Sequence, residues 1–404
     1  MIHHEPPRIG DEHTTLDGLG PKIVRIALPA GLVLLALTFL LGNGQGDGLR
    51  RFSFSYLLNF AYYLSLSLGA LFFVAVNHLS RASWSVVIRR LAEILAVNLV
   101  LLAVLALPIL LNLTKIYAWA AGEAHGHDEL LAHKQPYLNP AFFTLRWAVY
   151  FAIWCIYAIY YWRRSLQQDH SGDPRLTISM ETRSGPALAL FAVTVTLAAF
   201  DLLMSLDFTW FSTIFGVYFF AGGVVGFYAL LTLLTLWLQR NGRLARIVTI
   251  EHYHDYGKLM FAFVFFWAYI AFSQYMLIWY ANIPEETAWL LKRQTSGWGA
   301  IGLVLIFGHW LIPFAGLMSR FTKRKRSLLG FWAAWIIVMH WFDMFWIVMP
   351  ELGLDHVPFH LMDATCFLGI GGVYLAGLAY LAGNRPLVPL RDPRLDDSIR
   401  FENA

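Results

Sequence analysis

Apolar residues form long uninterrupted runs in this chain, and short stretches rich in charged residues separate the runs. Most runs hold roughly 18–25 residues, about the length that an α-helix needs to cross the hydrocarbon core of a bilayer. The pattern predicts ten membrane-spanning helices, at 24–42, 56–77, 91–111, 146–162, 186–206, 211–238, 258–280, 298–318, 328–348 and 360–382. We therefore expect an all-α polytopic membrane protein, with a ten-helix membrane domain at 23–383 between tails at 1–22 and 384–404.

Composition supports this class. The 404 residues are 58% hydrophobic and only 14% charged, which is more apolar surface than a soluble fold can cover. The first 22 residues are polar and lack the apolar core of a cleavable signal peptide. Both cysteines, Cys155 and Cys366, lie inside predicted helices, and no Cys-x-x-Cys motif occurs. We therefore expect no iron–sulfur cluster, no covalently attached haem and, since the basic residues are dispersed, no nucleic-acid partner.

The distribution of positive charge predicts the orientation. Most of the 30 Lys and Arg residues lie in the N-terminal tail, in every second loop after it and in the C-terminal tail. Loops rich in Lys and Arg stay on the cytoplasmic side of a membrane. Both termini are therefore predicted to be cytoplasmic, and the alternation favours an even number of helices. The C-terminal tail, which contains three prolines, is expected to form an extended strap on that face.

Several ionisable residues fall inside or beside the predicted spans. Asp201 and Asp343 lie well inside helices, where a charged side chain costs roughly 2.5–3.5 kcal/mol on insertion scales and usually has a function. His340 precedes Asp343 by three positions and shares its helix face, and His309 lies near the middle of its helix. We propose these candidates for a proton path: Asp201, Asp343, His340, His309, Asp207, Asp363, Glu93 and Lys258.

Structural alternatives stand beside each assignment. Asp207 and Asp363 lie close to helix ends, which favours a capping role, and Glu93 is close enough to the cytoplasmic surface to snorkel. His309 is as readily explained by packing. A haem needs two axial histidines at matching depth, and His309 with His340 is the only predicted midplane pair. The loop 112–145 contains three histidines that could hold a metal, His125, His127 and His133. The alternative is that the loop forms a polar surface helix. No catalytic, quinone-binding or metal-ligating residue is assigned.

Three segments resemble a known family of membrane proteins. They are 200–223 (FDLLMSLDFTWFSTIFGVYFFAGG), 251–263 (EHYHDYGKLMFAF) and 272–287 (FSQYMLIWYANIPEET). From the second predicted helix onward, most of the chain is similar to the NrfD-like (polysulfide reductase type) membrane subunits of bacterial alternative complex III, a quinol:electron-acceptor oxidoreductase. The similarity is to the shorter of its two such subunits. The aspartates of the family's hairpin match Asp201 and Asp207, and its Ser-Gln motif matches Ser273 and Gln274.

The resemblance implies an architecture and a set of partners. It implies two four-helix bundles, at about 56–206 and 211–348, flanked by the first and tenth helices. The implied partners are the longer sister subunit, a multihaem cytochrome c subunit and a large iron–sulfur subunit, all at the bacterial cytoplasmic (inner) membrane. Haem c and iron–sulfur clusters would belong to those partners, and this chain would hold no cofactor of its own, with quinol binding left open.

The sequence therefore predicts a membrane subunit without a redox centre, which supports proton movement and assembly of a respiratory or photosynthetic electron-transport complex. Two functions of other classes remain open. A stand-alone secondary transporter would normally show paired Gly- or Pro-interrupted helices in its two halves, and Pro313 is a single weak example. A structural scaffold would tolerate the loss of any one buried acid.

Overall fold

Ten long helices dominate the computed structural model, which describes residues 10, 12–47, 49–123, 127–354 and 356–403. All ten are long and apolar enough to cross a membrane. We label them α1 to α10: Leu19–Asn43, Arg50–Leu79, Val86–Leu111, Pro140–Ser171, Pro174–Leu206, Phe215–Arg240, Ile250–Ala281, Trp298–Met318, Arg326–Leu352 and Leu361–Ala382. Within these residues there is no β-strand. The predicted all-α, ten-helix class is therefore confirmed.

The ends of the helices differ from the prediction where polar sequence continues a helix. α4 was expected at 146–162 and α5 at 186–206, but these helices are Pro140–Ser171 and Pro174–Leu206. The side chain of Asn139 caps α4 by accepting from the Phe142 N–H at 2.9 Å, and Asp173 caps α5 in the same way. Apolar length marks only the part of a helix that needs lipid, so the polar ends of these two helices were missed.

Helix α2 lies at the centre of the molecule. The most apolar 18-residue window of α2 is 94% buried, and α2 contacts α3, α5, α6, α9 and α10. At the crossing with α6, a Cβ atom on Gly69 would lie 2.8 Å from the Gly223 carbonyl oxygen, so only small residues allow the two backbones to approach this closely. α1 packs along α10 in the same way, through Gly31, Gly369 and Gly372.

The helices form two rings around these crossings. α2, α3, α4 and α5 contact one another in sequence and close on α2, and α6, α7, α8 and α9 do the same and close on α6. Because α2 also packs against α6 and α9, no gap separates the rings. The division into two bundles as separate domains stays a prediction.

Both tails lie at the same end of the helical body, which we call the tail end. Glu12 accepts hydrogen bonds from the backbone N–H groups of Ala245 and Arg246 at 2.9 and 3.0 Å. The C-terminal tail crosses the same end, where Asp392 pairs with Arg89 and the Ser398 hydroxyl donates to a backbone carbonyl before α3. The tail therefore forms a strap, of which Leu395–Ile399 is helical rather than extended, and its cytoplasmic location stays a prediction. We call the opposite end, formed by the described residues 44–47, 49, 112–123, 127–139, 207–214, 282–297, 353–354 and 356–360, the far end.

Candidate functional site

Asp343 of α9 is fully buried between helices. One carboxylate oxygen accepts the Tyr218 O–H of α6, and the other accepts the Trp267 indole N–H of α7 at 3.2 Å. In the described part of the chain no basic side chain forms an ion pair with Asp343. A carboxylate removed from water without a counter-charge is strongly disfavoured, so this group needs a proton or a passing cation.

Two buried histidines lie beside this carboxyl group. His340 interacts through Nε2 with the Ser65 hydroxyl of α2 at 2.8 Å, and its Nδ1 has no partner among the described residues. His309 of α8 packs 4.1 Å from Trp267 between ring centroids and 6.4 Å from His340, and neither of its ring nitrogens has a partner there. We call Asp343, His340, His309, Tyr218 and Trp267 the Asp343 cluster.

An irregular segment of α8 brings His309 into this cluster. Residues Leu305–Leu311 form a π-helical segment directly before Pro313. Proline has no N–H, so the carbonyl four residues earlier, that of His309, loses its helical partner and the helix widens. The Trp335 indole N–H donates at 2.7 Å to the Gly308 carbonyl in the same segment. Segments of this kind occur frequently at functional sites.

Two glycines on one face of α6 allow α9, which carries Asp343 and His340, to pack close to α6. A Cβ atom on Gly222 would lie 3.2 Å from Asp343 Oδ2 and 3.4 Å from His340 Nδ1. A Cβ atom on Gly226, one turn later, would lie 2.9 Å from the His340 ring. The free nitrogen of His340 and the Asp343 carboxyl group therefore flank the same point of α6, and a bulkier residue there would separate them.

A cavity of about 460 Å³ opens next to the cluster, between α7, α8 and the far-end segment 284–297. Tyr218 and Trp267 belong both to the cluster and to the cavity wall. Gln274, part of the Ser-Gln motif singled out from the sequence, also lines this cavity. The cavity therefore lies on the other side of Tyr218 and Trp267 from the Asp343 carboxyl group, to which both side chains donate.

Asp201, the other acid expected to have a function, has a different environment. It is fully buried and forms a two-bond ion pair with Arg146 of α4, with N–O distances of 2.8 and 2.9 Å. The Tyr150 hydroxyl donates to the same carboxylate at 2.9 Å. The Arg146 guanidinium in turn lies over the Tyr137 ring at 3.8 Å. This charge-balanced arrangement ties α4 to α5.

The two acids at helix ends form local ties. Asp207 accepts from both the backbone N–H and the hydroxyl of Thr209, at 3.0 and 2.6 Å, and so stabilises the turn between α5 and α6. Asp363 completes a capping box with His360 and pairs with Arg51 at 2.6 Å. Both arrangements fit the capping alternative.

The tail-end candidates belong to a separate network. Glu93 is fully buried, which corrects the expectation that it could reach the surface; it accepts from Arg90 at 3.0 Å and lies 3.4 Å from Arg89. Lys258 is exposed and pairs with Asp255. Neither residue contacts the Asp343 cluster. His127 and His133 lie in or beside the short helix Asp128–Lys134, and His125 lies outside the described residues.

The structure thus groups three of the eight candidates, Asp343, His340 and His309, and separates the other five from them. The sequence reasoning missed Tyr218 and Trp267, the donors to Asp343, and Arg146, the counter-ion of Asp201. The signals were present: glycines four apart on α6 mark a close helix contact, and Pro313 marks an interrupted helix. No family model matches the chain, and no curated protein matches it.

Proposed function

We propose that this chain carries protons through the Asp343 cluster as an integral membrane subunit of a quinol:electron-acceptor oxidoreductase of the alternative complex III type. One observation carries the proton role: Asp343 is fully buried, is held by two neutral donors and has no counter-ion in the described part of the chain. Since an isolated buried charge is unfavourable, the group has to bind a proton in its resting state. Intramembrane acids of this kind form proton relays.

The neighbours of Asp343 offer a proton donor and a proton acceptor. Tyr218 donates its hydroxyl proton to Asp343 and lines the cavity, so its oxygen can accept a proton from a group bound there. His340 presents its free Nδ1 beside Asp343 and interacts with Ser65 through Nε2. A proton would pass from the cavity to Tyr218, then to Asp343 and His340.

Further polar groups lie between the level of Ser65 and the tail end. Ser67, two residues later on another side of α2, bonds the Tyr374 hydroxyl of α10 at 2.8 Å. Asn98 of α3 donates to the Tyr374 carbonyl at 3.1 Å. Glu93 lies about one turn further along α3. These groups supply candidate positions for a path between the cluster and the buried charges of the tail end.

The proposal that the chain belongs to such an oxidoreductase rests on the resemblance, and the positions of the resembling segments in the fold support it. Segment 200–223 contains Tyr218 of the cluster and Gly222, which lies against it, and segment 272–287 contains Gln274 of the cavity wall. Two of the three resembling segments therefore contribute residues to the proposed site or its cavity. Asp201 matches the family's hairpin in residue type alone, and its ion pair favours a structural role. Its part in a proton path stays a prediction.

The direct test of the proton role is infrared difference spectroscopy on the purified native assembly, titrated with pH. We expect a carboxylic-acid C=O band that shifts in D₂O, disappears in Asp343→Asn and persists in Asp201→Asn. Asn can replace Asp343 with little strain, because its oxygen accepts from Trp267 while its amide donates to the Tyr218 oxygen. Proton release during turnover should fall at least about tenfold, which is about 1.4 kcal/mol in barrier. An unchanged spectrum and unchanged proton release in Asp343→Asn would exclude the cluster.

Membership of the complex needs a separate test. Gentle detergent purification from the native membrane, followed by mass spectrometry, should recover a multihaem cytochrome, an iron–sulfur subunit and a longer sister subunit in fixed ratio. A chain that purifies alone would remove that part of the proposal. It would favour a secondary transporter, which the interrupted helix α8 beside buried ionisable groups also fits.

A further inference from the structure

We infer that the first turns of α7 and the loop between α8 and α9 bind the headgroup phosphate of an anionic phospholipid, at a site centred on Lys323. The loop contains the short helix Arg320–Arg324, which packs against α7 at the tail end. We call Lys323, Lys258, Arg320 and His254 the Lys323 site. The inference goes beyond the proposed function, because none of these residues belongs to the Asp343 cluster.

Lys323 is a buried cation without an acidic partner. It is 9% exposed, and no carboxylate pairs with it in the described part of the chain. Its Nζ donates to the Met318 carbonyl at 3.3 Å and lies 5.1 Å from the centroid of the Phe261 ring. Burial and, after it, the positive charge of Lys258 lower the pKa of Lys323 from its ordinary value. A bound anion would compensate both the lost hydration and the repulsion.

A glycine of α7 fixes the position of the Lys323 side chain. A Cβ atom on Gly257 would lie 2.6 Å from Lys323 Cγ and 2.8 Å from Lys323 Cβ. The stem of Lys323 therefore occupies the space that Gly257 leaves open. Most surface lysines extend freely into water, whereas this one is held in a defined place beside α7.

Three other basic groups lie around Lys323. The charges of Lys258, Lys323 and Arg320 all act on His254, so the four groups lie close together. His254 is 7% exposed, and its Nδ1 has no partner among the described residues. Lys258 is used in part, since its Nζ donates to the Asn403 side-chain oxygen. A phosphate group offers several acceptor oxygens, and the ammonium groups and a protonated His254 Nδ1 are suitable donors to it.

The acids of this region do not balance its positive charge. Residues 250–258 and 319–326 contain six Lys and Arg residues but only two acids. Each of these acids, Asp255 and Glu251, already pairs with one of the six cations. Four cations are therefore left without an acidic partner within the described residues. Basic pockets at the ends of membrane-spanning helices bind anionic lipid headgroups.

An exposed apolar surface continues from the Lys323 site along the spanning helices. Phe314 of α8 stacks on Phe261 of α7 and lies 6.0 Å from Phe265 between ring centroids. Phe265, Met318 and Phe321 are all more than half exposed. This surface suits an acyl chain whose headgroup reaches the cations at the membrane surface. A soluble phosphate would leave it uncovered, so the occupant we assign is a lipid.

The test measures binding of phosphatidylglycerol with a fluorescent acyl chain to the delipidated native assembly, by fluorescence anisotropy in detergent. Salt at about 0.15 M screens exposed charges beyond about 8 Å and so suppresses diffuse attraction. Unlabelled dioleoylphosphatidylglycerol should displace the probe. Dioleoylphosphatidylcholine, which carries the same phosphate beside a positive choline, should be at least about tenfold weaker, and sodium phosphate at the same concentration should not compete.

Three variants separate a defined site from general positive charge. Lys323→Met removes the charge but keeps a side chain of similar length over Gly257, and we expect at least about tenfold weaker binding. Gly257→Ala keeps every charge but displaces the Lys323 stem, and we again expect about tenfold weaker binding. Lys325→Met is the matched control, because it removes the same charge from an exposed position of the same loop; binding should weaken by no more than about twofold.

Each outcome supports or overturns the inference. Equal weakening in Lys323→Met and Lys325→Met would mean diffuse attraction rather than a site. Displacement of the probe by sodium phosphate would mean a soluble anion, and equal affinity for phosphatidylcholine would remove the role of charge. Normal binding in Gly257→Ala would contradict the geometry even if Lys323→Met failed to fold. Because none of these readouts depends on the infrared band of Asp343, the lipid site and the proton role can fail separately.

Discussion

The Arg146–Asp201 pair provides the sharpest test of how the far end of this protein is held together. Asp201→Asn removes the negative charge but keeps the size and shape of the side chain. Arg146, only 8% exposed, would then keep its positive charge without its two carboxylate bonds. The remaining contacts of Arg146 are the Tyr137 carbonyl at 2.9 Å and the faces of aromatic rings, chiefly Tyr137 at 3.8 Å and Phe142 at 4.4 Å.

The expected cost follows from that residual environment. Removing one partner of a buried ion pair typically destabilises a protein by about 3–5 kcal/mol, because the other charge stays buried and unpaired. Arg146 lies in the first turns of α4, where a long side chain can partly return to water, so we expect the lower value, about 3 kcal/mol. That is a large share of a stability of about 5–15 kcal/mol.

The double variant Arg146→Met/Asp201→Leu separates charge from packing. With both charges gone, the Tyr150 hydroxyl loses a buried partner, at about 1–3 kcal/mol, and the partly buried Tyr137 carbonyl loses the Arg146 donor. The double variant should therefore be at least about 2 kcal/mol more stable than the sum of the single effects predicts.

The assay is equilibrium unfolding in SDS, followed by the circular dichroism of the helices. Asp207→Asn is the matched control, because Asp207 bonds only its own turn, and it should cost no more than about 1 kcal/mol. If Asp201→Asn costs as little as this control, or if the double variant equals the sum of the single variants, the pair is not the structural tie described above.

Two further predictions use the same assay. Gly226→Ala should destabilise the protein by about 1–2 kcal/mol, because the new methyl group lies 2.9 Å from an imidazole ring. Gly302→Ala, whose methyl group would meet only the Trp346 indole nitrogen at 3.8 Å, should be neutral or slightly stabilising. Equal effects would show that the crossing of α6 and α9 is not tightly packed. Asp392→Asn should lower the free energy of unfolding by about 3 kcal/mol, because it leaves the buried Arg89 with a single weaker partner. It should also expose the C-terminal strap to proteolysis. Asp397→Asn, at an exposed position, should change the stability by no more than about 0.5 kcal/mol. A strap that resists proteolysis equally in both variants would contradict this assignment.

The helical architecture could be predicted because the membrane sets a length scale that sequence displays directly. Ten apolar runs gave ten helices, and even the hairpin between α5 and α6 was placed to within a few residues. The errors fell on polar continuations such as 163–171, which ends at the left-handed Gly172, and 174–185, which begins at the Asp173 cap, and on 140–145, which begins at the Asn139 cap. Capping depends on local hydrogen bonds rather than on hydropathy, so an apolar pattern does not reveal it.

The partners of the buried acids could not be predicted in the same way. Asp201 meets Arg146 across 55 positions and Asp363 meets Arg51 across 312. Periodicity within a helix gives the face that a residue occupies but not the residue that faces it on another helix. His340 and Asp343 could be grouped because they share a helix; His309 joins them through the π segment of α8, whose position only Pro313 suggested.

Asp201 and Asp343 show why a buried acid alone does not identify a function. Each lies on the fourth helix of its ring, and each is fully buried. In the first ring the third helix, α4, supplies Arg146, and the acid becomes half of an ion pair. In the second ring the third helix, α8, supplies the neutral His309, and the acid meets only Tyr218 and Trp267. The counter-ion turns the first site into a structural tie, and its absence from the described surroundings of the second leaves a carboxyl group that needs a proton or a passing cation, beside a cavity whose wall includes exposed apolar side chains of α7 and α8.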